Sequence, residues 1–253
     1  MLPFTDLFSR RRQPPPEPTS EAEPPRRFWV LLVLVLWLVL ASVALAGVPK
    51  DIARWGKPAG DTLEVGCGLV CFDPRARTAR WTLERIDAAI VNGPAKRRDT
   101  WFADARIPKC WRVSPAWYAK TGFDMGHGMA ANNYGQQEAS DATFNTANCF
   151  PQLPEVNRGP IKMIEDVGQD SARAGNKVWI TTGVIYSPTD KRPIKALPRG
   201  IWVAHRFYKA HVAQYADELP IVSCWIVDNA PPKGAGLLQY QATLEEVREQ
   251  STD

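Results

Sequence analysis

Apolar residues first mass between Phe28 and Ala46, where nineteen residues pass without a charge or a proline. As a helix that run would be roughly 28 Å long, close to the hydrocarbon thickness of a bilayer. It predicts a transmembrane signal anchor over residues 28–47. A cleaved signal peptide is the alternative, since Ala44-Leu45-Ala46 before Gly47 fits a small-residue cleavage site. Arg10-Arg11-Arg12, Arg26 and Arg27 precede the run and predict a cytoplasmic tail. Everything from Val48 onward is then expected outside the cytoplasm, anchored to the membrane or secreted after cleavage at Ala46. Residues 1–27 are rich in Pro, Arg and Glu without apolar periodicity and read as disordered.

Beyond an expected linker at 48–60, the pattern changes to short runs rich in β-branched and aromatic residues. Arg80–Ile86 alternates imperfectly and reads as a strand. Lys177–Tyr186 is a stronger one, nearly continuous in such residues. Ile201–Ala204 with Phe207–Val212, and Leu219–Val227, predict further strands. Continuous apolar runs suit strands covered on both faces, so the fold class predicted for 61–253 is α/β (α+β), a central sheet flanked by helices. Helical signals are fewer. Asn157 is a reasonable N-cap for a helix reaching about Ala174, with Pro160 in the first turn and Ile161, Ile164 and Val167 as its apolar stripe. Gln241–Glu249 predicts a short terminal helix.

Charge narrows the picture little. With 31 basic and 27 acidic residues the formal net charge is +4. A nucleic-acid partner is permitted but not demanded by that balance. Five cysteines suit an exported domain. Cys67 and Cys71, with Gly68 between them, predict a local disulfide; two thiols are the alternative. Cys110, Cys149 and Cys224 allow at most one more pair.

The chemistry concentrates in Phe123-Asp124-Met125-Gly126-His127-Gly128, followed by Asn148, Gln152, Asn157 and Glu165. Only three histidines exist (His127, His205, His211), so few residues compete for the role of a base near neutral pH. Phosphodiester hydrolysis needs such a base, a cation to offset phosphate charge, and groups to hold that cation. Mg²⁺ prefers oxygen and keeps several waters, so one amide carbonyl can be its only direct protein ligand. A zinc peptidase fits poorly, given the lack of H-E-x-x-H and of helical metal spacing among the histidines.

Phe123–Ala130, then Thr146-Ala147-Asn148-Cys149-Phe150-Pro151-Gln152, then Val156-Asn157-Arg158-Gly159 with Glu165, resembles the DNA/RNA non-specific endonucleases. The signature of that family is D-R-G-H, T-N-x-x-P-Q, N-R/Q-G and a helical Glu. The resemblance runs from about Asp61 to Val227. It implies a ββα-metal motif in a mostly antiparallel, six-stranded α/β/α architecture. It implies His127 as general base, Asn157 as the Mg²⁺ ligand (Mn²⁺ as substitute), Glu165 holding metal-bound water and Asn148 as polar support beside them. Gln152 and Arg158 are implied on the substrate side. DNA and RNA are the implied substrates, cleaved to 5′-phosphate ends, and a homodimer is left open. One departure stands out: Met125 replaces the family's arginine, and methionine cannot make bidentate bonds to phosphate. Arg97 or Arg98 lies where some members carry a phosphate-binding arginine, with Arg98 preferred. Met125 also keeps a rival expectation alive, a non-hydrolytic nucleic-acid-binding or uptake module.

Overall fold

The β-rich runs form one large antiparallel sheet in the computed structural model, which describes residues 48–187, 193–231, 234 and 236–251. Its strands are β1 (Leu63–Val65), β2 (Gly68–Asp73), β3 (Thr78–Ile86), β6 (Lys177–Ile185), β9 (Arg206–Gln214), β10 (Ile221–Asp228) and β11 (Gln241–Ala242), in the order β1-β2-β3-β6-β9-β10-β11. That is seven strands rather than six. Two short antiparallel pairs stand apart from it: β4 (Asp124–His127) with β5 (Cys149–Gln152), and β7 (Lys195–Leu197) with β8 (Ile201–Val203). Described helices are few: α1 (Ala88–Val91), α2 (Gln137–Ala142), α3 (Pro154–Val156), α4 (Lys162–Arg173) and α5 (Leu244–Ser251), besides 3₁₀ and π turns.

Period-two alternation sends successive side chains of the sheet to opposite faces. Trp81 and Leu83 join Ile52 in one apolar cluster. The expected linker 48–60 is docked there: Trp81 Nε1 donates to the Ala59 carbonyl and Trp179 Nε1 to that of Asp51, each at 2.9 Å. The other face carries Phe207 and Trp225 into the main core with Phe150 of β5 and Ile161 and Ile164 near the start of α4. Thr78 Oγ1 donates to the Cys149 carbonyl at 2.6 Å and ties the β4–β5 pair to the sheet.

The helix expected from Asn157 begins earlier and is irregular. Pro154 opens α3, where its missing N–H costs nothing. Asn157–Ile161 then widens into a π turn before α4. Pro160 cannot donate to the ladder and its ring crowds the preceding turn; Gly159 departs to φ −106°, ψ −107°. Asn157 therefore sits within the helix at φ −59°, ψ −48°, and is not its N-cap. The buried stripe of α4 is Ile164, Gly168, Gln169 and Ala172, while Val167 is exposed.

The expected Cys67–Cys71 disulfide is not formed. Cys71 lies in extended β2 and Cys67 immediately precedes it. Four extended residues cover about 13 Å, against a Cα separation of about 7 Å that a disulfide tolerates. The two side chains are buried in different apolar clusters. The tail 1–27 and the expected span 28–47 lie outside the described residues. Among the described residues no helix is long and apolar enough to cross a membrane.

Candidate active site

β4 and β5 pair in the register Asp124↔Gln152, Met125↔Pro151, Gly126↔Phe150 and His127↔Cys149. The backbone then brings Asn148 against the turn after His127. The Gly128 N–H donates to the Asn148 carbonyl at 2.9 Å. Asn148 Oδ1 accepts from the Met129 N–H at 2.9 Å, and its Nδ2 donates to the Met129 and Thr143 carbonyls at 3.0 and 2.9 Å. Fully buried, Asn148 spends its amide on holding this loop. The two glycines around His127 serve the protein's own packing. A Cβ at Gly126 would lie 2.0 Å from Gln152 Oε1, and one at Gly128 would lie 2.4 Å from Thr82 Cγ2.

His127 is 7% exposed. Its ring centroid lies 4.5 Å from that of Trp101 and 4.8 Å from that of Phe144, the latter edge to face. Burial pulls its pKa down to about 3, helped by the positive charges of Arg97 and Lys209. The imidazole is therefore neutral at pH 7, and its Nε2 has no hydrogen-bond partner.

Asp124, three residues upstream, organises the other side. Asn157 Nδ2 donates to Asp124 Oδ2 at 2.9 Å. Arg158 grips the same carboxylate with two bonds of 2.9 Å, Nε to Oδ2 and Nη2 to Oδ1. The amide of Asn157 is thus oriented by its nitrogen, while its Oδ1 accepts no hydrogen bond among the described residues. Asn157, Arg158, Asp124, Met125, Trp101 and Arg97 line a common cleft of about 510 Å³. Glu165, in the first turn of α4, pairs with Lys209 Nζ at 3.3 Å. Burial raises the pKa of Glu165, and Lys209 opposes that rise.

Two expected substrate contacts are relocated. Arg98 turns away to an exposed ion pair with Asp141 at 3.0 Å. Arg97 faces the cleft instead, its guanidinium 5.1 Å from the Phe144 ring centroid and its Nε 2.7 Å from Asp99 Oδ1. Gln152 is fully buried beneath Gly126, with neither amide atom hydrogen-bonded, and reaches no open surface. Met125 is half-buried against the apolar cluster of Val113, Tyr118, Leu197, Ile201 and Val203. Sequence reasoning gave no role to Asp124 or Lys209. The signal for Lys209 was present: a lone cation in the apolar run Phe207–Val212 must be paired if the strand is buried.

The residues present suit a hard cation. Their free donor is a neutral amide oxygen, with the Glu165 carboxylate on the helix that follows. Among the described residues no three His, Cys, Asp or Glu side chains converge as a metal cage, the arrangement a structural zinc requires.

The sequence profile of the DNA/RNA non-specific endonuclease family matches residues 54–253. Among curated relatives, "Endonuclease G, mitochondrial" of Bos taurus is 28% identical over 204 residues, covering 77% of this chain and 68% of the relative. The Homo sapiens protein of the same name is 28% identical over 191 residues, covering 72% and 64%. The chain thus spans about two thirds of these relatives' length. Of solved structures, a crystal structure of an EndoG/EndoGI complex aligns with TM-score 0.72 at 24% identity, covering 79% of this chain and 88% of the other, a likeness of fold. These matches overturn the expected localisation outside the cytoplasm on a membrane anchor. The relatives carry mitochondrial names, and no described helix can cross a membrane.

Proposed function

The chain belongs to the DNA/RNA non-specific endonuclease family, and on that premise we propose that its cleft hydrolyses phosphodiester bonds of DNA and RNA with one divalent metal ion and His127 as general base. The observation that carries this reading is the Asn157 amide. Asp124 holds its nitrogen, its oxygen accepts no hydrogen bond among the described residues, and it lines a cleft together with Trp101, the ring that packs on the neutral, buried His127 imidazole. Asn157 Oδ1 would hold the ion, and Glu165 would accept hydrogen bonds from its waters. A Mg²⁺ ion held there, or Mn²⁺ in its place, would offset the negative charge of the phosphodiester.

The chain's own groups do the rest. His127 takes a proton from the attacking water. Burial keeps it neutral in the free protein, and an anionic phosphodiester alongside favours the imidazolium. Its basicity therefore grows when substrate arrives. Trp101 and Phe144 fix the ring plane and exclude bulk water. Arg97 and Arg158 offer guanidinium groups to phosphate, replacing the arginine absent at position 125. Asn148 acts as a brace for the His127 turn, and Gln152 as a support beneath β4. Phosphate contacts of this kind give little sequence selectivity and a strong salt dependence. The 5′-phosphate product follows from departure of the 3′ oxygen.

Supercoiled plasmid incubated with the protein in Mg²⁺ and in EDTA tests the reading. Nicking in Mg²⁺ that stops in EDTA is expected. Plasmid binding without metal-dependent nicking would refute it and favour a non-hydrolytic binding module.

A further inference from the structure

Lys209 carries a charge onto the face of β9 that it shares with Phe207, His211 and Ala213, and its side chain is 1% exposed. An ammonium so placed is costly unless every donor finds an acceptor. Its Nζ donates to the Gly128 carbonyl at 3.2 Å and to Thr182 Oγ1 at 3.0 Å, and it pairs with Glu165 Oε1 at 3.3 Å. Those partners lie on three separate pieces of the fold: the turn after His127, strand β6, and helix α4. Among the described residues Glu165 has no other hydrogen-bond or ion-pair partner. The nearby buried Glu84 also feels the Lys209 charge, which lowers its pKa, but its direct partners are Asn133 Nδ2 at 2.9 Å and the Tyr134 hydroxyl at 2.8 Å.

We infer that Lys209 is a positioning residue of the nuclease site, fixing Glu165 of α4 and the backbone after His127 at one separation through a single buried ammonium. This rests on the reading of Glu165 proposed above. With Oε1 engaged by Lys209, the remaining oxygen of Glu165 has a defined direction in which to accept from waters of a cation at Asn157. A hydrophobic residue at position 209 would pack without the desolvation cost, but would leave Glu165 without an anchor.

The test is Mn²⁺ affinity, measured by electron paramagnetic resonance on wild type, Lys209→Met, Glu165→Gln and the double variant, with thermal melts to establish folding and plasmid-cleavage kinetics alongside. Each single variant is expected to weaken Mn²⁺ binding by about tenfold, the usual scale for partners that orient metal-holding groups. The double variant should bind no more weakly than either single one, because Lys209 acts through Glu165. Cleavage kcat should fall with KM for plasmid nearly unchanged. A folded Lys209→Met protein with wild-type Mn²⁺ affinity, or additive losses in the double variant, overturns the inference while leaving the site reading in place. Wild-type affinity in Glu165→Gln overturns the site reading itself. If Lys209→Met fails to fold, the same comparison is made in Glu84→Gln, which removes the buried acid that the lost cation would leave exposed to repulsion.

Discussion

Asp124 is the side chain around which the cleft is arranged. It accepts from Asn157 and from both ends of the Arg158 fork, so one carboxylate orients a prospective metal ligand and a prospective phosphate contact. Asp124→Asn should lower kcat and raise the Mg²⁺ concentration for half-maximal rate, each by about 10–100-fold. Initial rates across a Mg²⁺ titration check this; an unchanged half-maximal concentration contradicts it. Arg97 has two effects, one on substrate and one on His127. Arg97→Ala should lower kcat/KM by about 100-fold. Its positive charge also lowers the pKa of His127, so removing it should move the acid limb of the pH–rate profile to higher pH. Asn157 and Arg158 line the cleft that the motif spacing pointed to, and His127 packs on its Trp101 wall. The choice between Arg97 and Arg98 was not legible in the sequence. They sit in an irregular segment where neighbours point in unrelated directions, and Asp99 after them has φ +50°. The partnership of Lys209 with Glu165 was equally hidden, because nothing local links a strand residue to a helix residue 44 positions away.

The elements divide by how much of their structure is local. β3, β6, β9 and β10 were readable from β-branched and aromatic runs, since a covered sheet demands such residues on both faces. The terminal helix α5 was also legible, though it starts later than expected. Thr243 and Glu246 form a capping box there, with the Glu246 N–H donating to Thr243 Oγ1 at 3.1 Å and the Thr243 N–H to Glu246 Oε2 at 2.7 Å. β4 and β5 were not legible. Each is four residues long and contains Gly or Pro, and each is set by packing rather than propensity. The π turn at Asn157–Ile161 is a tertiary result too, and it lies at the cleft, as such turns often do. Packing at this level predicts that Gly128→Ala destabilises the protein. The new methyl would meet Thr82 Cγ2 at 2.4 Å and Asn148 Oδ1 at 3.0 Å in a filled interior. Overpacking of this sort costs about 1–3 kcal/mol. Urea denaturation should show the midpoint falling; a midpoint equal to wild type contradicts the packing argument.

At the scale of the molecule, buried titratable groups pull the response to pH in two opposing directions. His127 and His211 ordinarily protonate near 6.5, but burial holds both to about 3 in the folded state. Between those values the unfolded chain binds more protons, so stability rises with pH and is lost as pH falls. Glu84 works in the opposite direction. Burial pushes it up from 4.5 to about 7, so over that window the folded state binds more protons and stability falls as pH rises. From pH 4.5 to 6.5 the two histidines are opposed by Glu84 and by Glu165, which burial also raises. His211→Leu should therefore lower the slope of the urea midpoint against pH across this range, measured in EDTA; an unaltered slope in that variant contradicts the account. Family, sheet and enzymatic class were all legible at this scale, whereas localisation was not, because hydropathy of a leading segment does not specify a compartment. The most direct test of the central claim is single-turnover cleavage of plasmid DNA in Mg²⁺ by wild type and His127→Ala. The account predicts a rate at least about 100-fold lower in the variant, with a cooperative thermal melt that shows it folded. A folded His127→Ala protein that cleaves as fast as wild type would contradict it.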